Sequence, residues 1–176
     1  MKTLFILLAS TLLLLGSVNA QQWQLRETIP NWYAEPTLVF SLGNYGYWGS
    51  MQGDSVLWRY DSMNDSWQQM NDLPYPHGMM PFTINDAAYY MPIVNGQIFL
   101  YRYEETSDTW TEISQFPGTP RQGNFVFVIG NSAYMSCGRD FTGEHLQDHW
   151  EYNAMDNIWT QRADFIGYQR TLGGAF

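Results

Sequence analysis

The chain has 176 residues, 17% of them aromatic, with 17 acidic and 8 basic side chains for a net charge of −9. That balance excludes nucleic-acid binding through clustered cations and docking on an anionic membrane surface. A single cysteine, Cys137, excludes an internal disulfide, so packing must hold the fold, and the thiol reads as a small buried hydrophobe.

The first element is a leader. Residues 1–20, MKTLFILLASTLLLLGSVNA, carry Lys2, an apolar run from Leu4 to Leu15 and small residues ending at Ala20. A basic start, an apolar centre and a small-x-small cleavage site read as a secretory signal peptide. The run is shorter than the ~20 residues a bilayer span requires, so no membrane insertion is expected after cleavage. No cysteine follows Ala20 for a lipid anchor. The expected location is secreted or periplasmic, with residues 21–176 as the mature chain.

Beyond the leader, QWQLR at residues 22–26 alternates like a strand, and from there the chain repeats. Trp23, Trp67, Trp110 and Trp159 lie 44, 43 and 49 residues apart. Seven residues before the last three stand Tyr60, Tyr103 and Tyr152, each preceded two residues earlier by Trp58, Tyr101 or Trp150. Thus WRYDSMNDSW, YRYEETSDTW and WEYNAMDNIW are three copies of one unit. Pro30, Pro74 and Pro117 follow their Trp by seven residues, with Ile166 in that place after Trp159. Phe40, Phe82, Phe127 and Phe176 recur further on.

Within each unit the physics is that of paired strands. Gly43-Asn44, Asn85-Asp86 and Gly130-Asn131 tolerate the positive φ of a tight hairpin, with Tyr47, Tyr89 and Tyr134 beyond the turn. DSMND, EETSD and NAMDN are polar turns before the strand that carries the Trp. No segment after the leader shows helical periodicity. Four strands per 43 to 49 residues is the arithmetic of a propeller blade.

The spacing of paired strands, Tyr and Trp resembles that of Kelch repeats, most closely the secreted bacterial and galactose oxidase central-domain type. DHWEYNAMDNIWTQRADF and PRQGNFVFVIGNSAYMSCG carry the resemblance, which spans residues 23 to 176. It departs from the family where a double glycine often ends the second strand: here YWGS, YYMP and SCG stand. The resemblance implies an all-β fold of Kelch-type propeller blades. Three full four-stranded blades are expected near 36–70, 79–113 and 123–162. Residues 22–26 would add an N-terminal fourth-position strand, and 170–176 the first strand of a further blade. Such a ring is incomplete, because propellers close with four to eight blades. Either the chain is part of a larger propeller, or several chains build one ring through unpaired blade edges. The first is preferred, since closed interfaces rarely cut through a blade.

Strand parity puts the longer, variable connections at one end of the blades, the longest being GRDFTGEHLQD at residues 138–148. That end carries His77, Arg121, Arg139, Asp140, Glu144, His145, Asp148 and Arg170. Ligand contact is expected there through His77, Arg121, Arg139, Asp140, His145 and Arg170, with the three arginines foremost. The competing expectation is that Arg121 and Arg170 stack on aromatic rings and hold blades together. His145 and His149 on one extended segment would lie ~13 Å apart, too far to share an ion, so neither metal nor cofactor is expected. No Ser-His-Asp order or phosphate loop is visible, and NDS at Asn64 is a glycosylation sequon. The resemblance implies an exported binding module for a protein or glycan ligand. The alternative it implies is a propeller enzyme of the sialic-acid mutarotase-like or galactose oxidase-like kind. Copper oxidation would need a Tyr/His set with a Cys-Tyr crosslink, and this sequence offers three His and one Cys.

Overall fold

The computed structural model describes residues 24–30, 38–49, 55–76 and 78–171. Among these there is no helix; the chain forms three four-stranded antiparallel sheets and one small two-stranded sheet. Blade 1 runs β1 (Leu38–Leu42), β2 (Tyr45–Gly49), β3 (Leu57–Asp61) and β4 (Ser66–Met70). Blade 2 runs β5 (Gly78–Ile84), β6 (Ala87–Val94), β7 (Gln97–Glu104) and β8 (Thr109–Gln115). The strand pair β9 (Arg121–Gln122) and β12 (Arg139–Asp140) stands apart from the blades. Blade 3 consists of β10 (Phe125–Ile129), β11 (Ser132–Ser136), β13 (His149–Asn153) and β14 (Ile158–Arg162). β5 contacts both β1 and β10, so the first strands of successive blades adjoin.

The leader expected at 1–20 falls outside the described residues, as do Trp23, His77 and Phe176. One expected strand is corrected: residues 24–26 of QWQLR form no strand, and no strand among the described residues pairs with them, so no ladder holds them extended. Of the strand expected over RTLGGAF, residues 172–176 lie outside the described residues.

Each blade is organised by the same aromatic pairs. On the first two strands Phe40–Tyr47, Phe82–Tyr89 and Phe127–Tyr134 stack with ring centroids 4.7, 5.1 and 5.3 Å apart. On the last two, Tyr60–Trp67, Tyr103–Trp110 and Tyr152–Trp159 sit directly opposite each other, tilted, at 4.9, 4.8 and 5.1 Å. Directly opposed aromatics on adjacent strands are the strongest cross-strand pairs. The same Tyr hydroxyl donates to the residue that closes its polar turn: Tyr60 to Asp65 (2.7 Å), Tyr103 to Asp108 (2.7 Å) and Tyr152 to Asn157 (3.0 Å). All three acceptors have positive φ, 49°, 50° and 56°, which Asp and Asn tolerate better than other side chains.

Blades join face to face. Phe40 and Tyr47 of blade 1 lie 6.3 and 5.7 Å from Tyr103 of blade 2, and Phe40 lies 6.4 Å from Trp110. Phe82 and Tyr89 of blade 2 lie 6.5 and 5.9 Å from Tyr152 of blade 3. Two core clusters result, one per junction. The middle blade is covered on both sides, so the first six residues of β6 are all buried, whereas β1 alternates buried and exposed.

A further repeated contact fastens each blade to the linker after it. Six residues after each Trp comes an apolar anchor: Leu73 (4% exposed), Phe116 (2%) and the half-buried Phe165. Their amides donate to Ser55, Ile98 and Gln147 respectively, at 2.7, 2.9 and 2.9 Å. The Pro expected seven residues after Trp therefore follows a buried anchor and stiffens the exit from the blade.

Replacing Tyr103 by Phe should remove the clip to Asp108 at a junction where the ring is 1% exposed. Chemical denaturation is expected to show a loss of about 1–2 kcal/mol. The same change at the half-buried Tyr60 should cost clearly less.

Candidate functional site

Three connections at the loop end come together. β9 pairs with β12, with Arg139 opposite Gln122 and Asp140 opposite Arg121. The Gly138 amide donates to the Arg170 carbonyl at 3.1 Å, bringing in the segment after blade 3. Gln147 Nε2 donates to the Gly167 carbonyl at 2.8 Å from the same loop. Gln122, Gly123, Arg139 and Thr171 line a cavity of about 310 Å³. The opposite end of blade 3 has only its two-residue hairpin and the Ala154–Asn157 turn.

Arg121 holds this cluster together from inside. Its side chain is fully buried, and its guanidinium donates to Asp148 at 2.5 and 2.6 Å in a bidentate pair. Further hydrogen bonds run to the carbonyls of Thr119 (2.9 Å) and Cys137 (3.1 Å). The guanidinium also lies 5.3 Å from the Phe116 ring centre. Arg121 thus ties β9 to both ends of the 137–148 loop and has no surface to offer a ligand. Trp150 Nε1 donates to the second Asp148 oxygen at 2.6 Å. Burial pushes the Asp148 carboxyl up, but the hydrogen bonds from Arg121 and Trp150 and the guanidinium charge outweigh it, so its pKa lies below the ordinary value.

The backbone of the loop is as constrained as its core. Cys137 is fully buried with φ 59°, and Gly138 follows with φ 97°. A side chain on Gly138 would meet the Gln122 carbonyl oxygen at 3.0 Å and the Asn124 amide nitrogen at 3.1 Å. Glycine is therefore required there by both torsion and space. Burial raises the Cys137 thiol pKa, which keeps it protonated and unreactive.

Asp140 serves the loop itself. Its Oδ1 accepts from the Thr142 amide (2.9 Å), the Thr142 hydroxyl (2.8 Å) and the Glu144 amide (2.8 Å). The Thr142 hydroxyl bond is the main cause of its lowered pKa. Arg139 is exposed and forms no ion pair among the described residues. Arg170 is exposed too, with its guanidinium 4.8 Å from the Phe165 ring centre. His145 is exposed and bridged to Arg139 through the backbone, and it does not line the cavity.

His149 lies on β13, half-buried and stacked on Tyr134 at 5.6 Å, with Nδ1 hydrogen-bonded to Ser136 Oγ. Among the described residues no three His, Cys, Asp or Glu side chains are grouped to hold a metal. One residue escaped the sequence reading. Asn124 is 4% exposed, adjoins Gly123 and Gly138, and its Nδ2 has no hydrogen-bond partner among the described residues. In a Gly-rich linker an Asn signals only turn chemistry, so nothing in the sequence distinguished it.

Asp148→Asn would leave the Arg121 charge buried and uncompensated, at a cost of about 3–5 kcal/mol near neutral pH. Because the folded carboxyl has the lower pKa, its stabilisation is full above the unfolded value near ~4 and is lost as pH falls through the folded value. Denaturation curves for the two proteins, far apart at pH 7, are expected to converge on acidification.

No family model matches the chain, and no curated protein matches it. Solved structures do. The chain is similar to the β-propeller YjhT with a TM-score of 0.69 at 13% sequence identity, over 86% of this chain and 58% of that one. The chain therefore spans little more than half of YjhT. At that identity the likeness establishes the fold: this is an array of β-propeller blades, and the described residues do not close a ring.

Proposed function

We propose that the protein is an exported, Kelch-like binding module whose loop end takes an oxygen-rich ligand, a glycan or protein surface bearing carboxylates. Arg139 and Arg170 are the residues assigned to contact it. The reading rests above all on the convergence of residues 121–124, 137–148 and 167–171 around the cavity beside Arg139. An exposed guanidinium without an ion-pair partner suits bidentate recognition of a carboxylate or of paired hydroxyls. Export is proposed from the leader at residues 1–20. The preference for binding over catalysis is by analogy with other blade proteins.

The second reading makes these blades part of a propeller enzyme of the sialic-acid mutarotase-like kind. The fold shared with YjhT favours it.

A glycan array followed by calorimetry on the best ligand separates the two. Under the binding reading Arg139→Ala weakens affinity by about tenfold to a hundredfold, the worth of one charge-assisted hydrogen bond. Affinity unchanged in both Arg139→Ala and Arg170→Ala would overturn the assignment of the site. Faster equilibration of sialic-acid anomers, followed by NMR, would favour the enzyme.

A further inference from the structure

The junction of blades 1 and 2 and that of blades 2 and 3 share their aromatic rings but differ in charge. In each of the first two blades an arginine on the third strand lies directly opposite the tyrosine of the second. Arg59 on β3 faces Tyr47 on β2, and Arg102 on β7 faces Tyr89 on β6. The polar turn of the next blade approaches each pair. Those turns align position by position, residues 104–108 of blade 2 with residues 153–157 of blade 3.

Between blades 1 and 2 the turn supplies a carboxylate. Glu105 Oε1 accepts from the Tyr47 hydroxyl at 2.8 Å and lies 3.7 Å from Arg59 Nη1. Between blades 2 and 3 the matching residue is Ala154, which ends at Cβ. What it lacks relative to glutamate is a carboxymethyl group, the size and charge of acetate. A cleft of about 340 Å³ lies there, bordered by Tyr89 and Arg102 of blade 2 and by Tyr152, Ala154 and Asn157 of blade 3. The Arg102 side chain is 45% exposed, against 22% for Arg59 under its carboxylate.

A second difference acts in the same direction. Tyr103 donates to the anionic Asp108, whereas Tyr152 donates to the neutral Asn157 at the same position. Two carboxylates that would repel an anion at the first junction are therefore replaced by neutral groups at the second. The ion-pair partner of Arg102 among the described residues is Glu104 on its own strand, at 3.4 Å and equally exposed. Such an exposed pair is weak enough for the guanidinium to be shared with an incoming anion. Asp86 and Asp156, on the adjoining turns, are exposed and do not line the cleft. Burial raises the Tyr89 pKa against the charge and hydrogen bond of Arg102, so the hydroxyl stays protonated and can donate.

We propose that the cleft between blades 2 and 3 binds a small organic carboxylate in the place that Glu105 fills one junction earlier. One carboxylate oxygen accepts from the Tyr89 hydroxyl and pairs with the Arg102 guanidinium, while the body of the acid rests against Tyr152 and Ala154. The volume is that of a small-molecule pocket and admits acids larger than acetate. This site lies at the hairpin end of the blades, away from Arg139 and Arg170, and does not depend on the loop-end reading.

Titration of the isotope-labelled protein with sodium acetate at constant ionic strength, followed by NMR of the Ala154 methyl and the Arg102 guanidinium, tests this. Saturable shifts are expected with a Kd on the order of 1 mM, and the neutral isostere acetamide should produce none. Arg102→Gln, at an exposed strand position, is expected to weaken acetate binding by about tenfold. Ala154→Glu installs the tethered carboxylate that blade 2 carries at this turn position, and it should abolish the shifts by occupying the site. No saturable shift, shifts confined to the surroundings of Arg139, or equal shifts with acetamide would each overturn the proposal. So would an acetate affinity unchanged in Arg102→Gln or in folded Ala154→Glu.

Discussion

The structure depends on an aromatic interlock between sheets. A four-stranded sheet cannot bury both faces by itself, so each blade is stable only as far as its neighbours cover it. The Phe–Tyr stack on one side and the Tyr–Trp pair on the other supply large apolar area with defined ring geometry, worth about 0.5–1.5 kcal/mol per pair beyond burial. The Tyr hydroxyls must then be satisfied, and the Asp or Asn closing each polar turn accepts from them. Those same turn residues reach the neighbouring blade: Asp108 accepts from Asn71 just past β4, and Asn157 donates to Ile113 on β8. One residue type at one position thus couples turn geometry, ring orientation and blade packing.

This economy explains why the repeat was readable. Tyr and Trp seven residues apart face each other across a hairpin, so their spacing is set by strand length and turn length together. Gly43, Asn85 and Gly130 announced their hairpins because positive φ restricts the choice of residue. What the sequence did not display is contact between distant segments. The anchors Leu73, Phe116 and Phe165 differ in identity and share only a position, so the more conspicuous Pro beside them drew the eye. Residues 24–26 alternate like a strand, yet a strand needs a partner that alternation cannot supply.

At the loop end the same limit applies to charge. Sequence parity grouped Arg121, Arg139, Asp140, His145 and Arg170 at one end of the blades, and the fold brings their loops together. It also divides them. Arg121 is internal and neutralised by Asp148, Asp140 is turned to the donors of its own loop, and Arg139 is left exposed without an ion-pair partner among the described residues. No reading of residue types separates an arginine that braces a loop from one that faces solvent, because the difference lies in which carboxylate folds against it. Cys137 shows the converse: a residue with chemical potential is silenced by burial and by a backbone conformation that serves the loop.

The most direct measurement of the interlock is a double-mutant cycle across the junction of blades 2 and 3, pairing Phe82→Leu with Tyr152→Leu. The rings lie 6.5 Å apart and share a core cluster, so the two changes should not add. The account predicts a coupling of about 1 kcal/mol in unfolding free energy, within the range for packed aromatic pairs. Additivity to within about 0.3 kcal/mol would mean that the blades are held by something other than these rings.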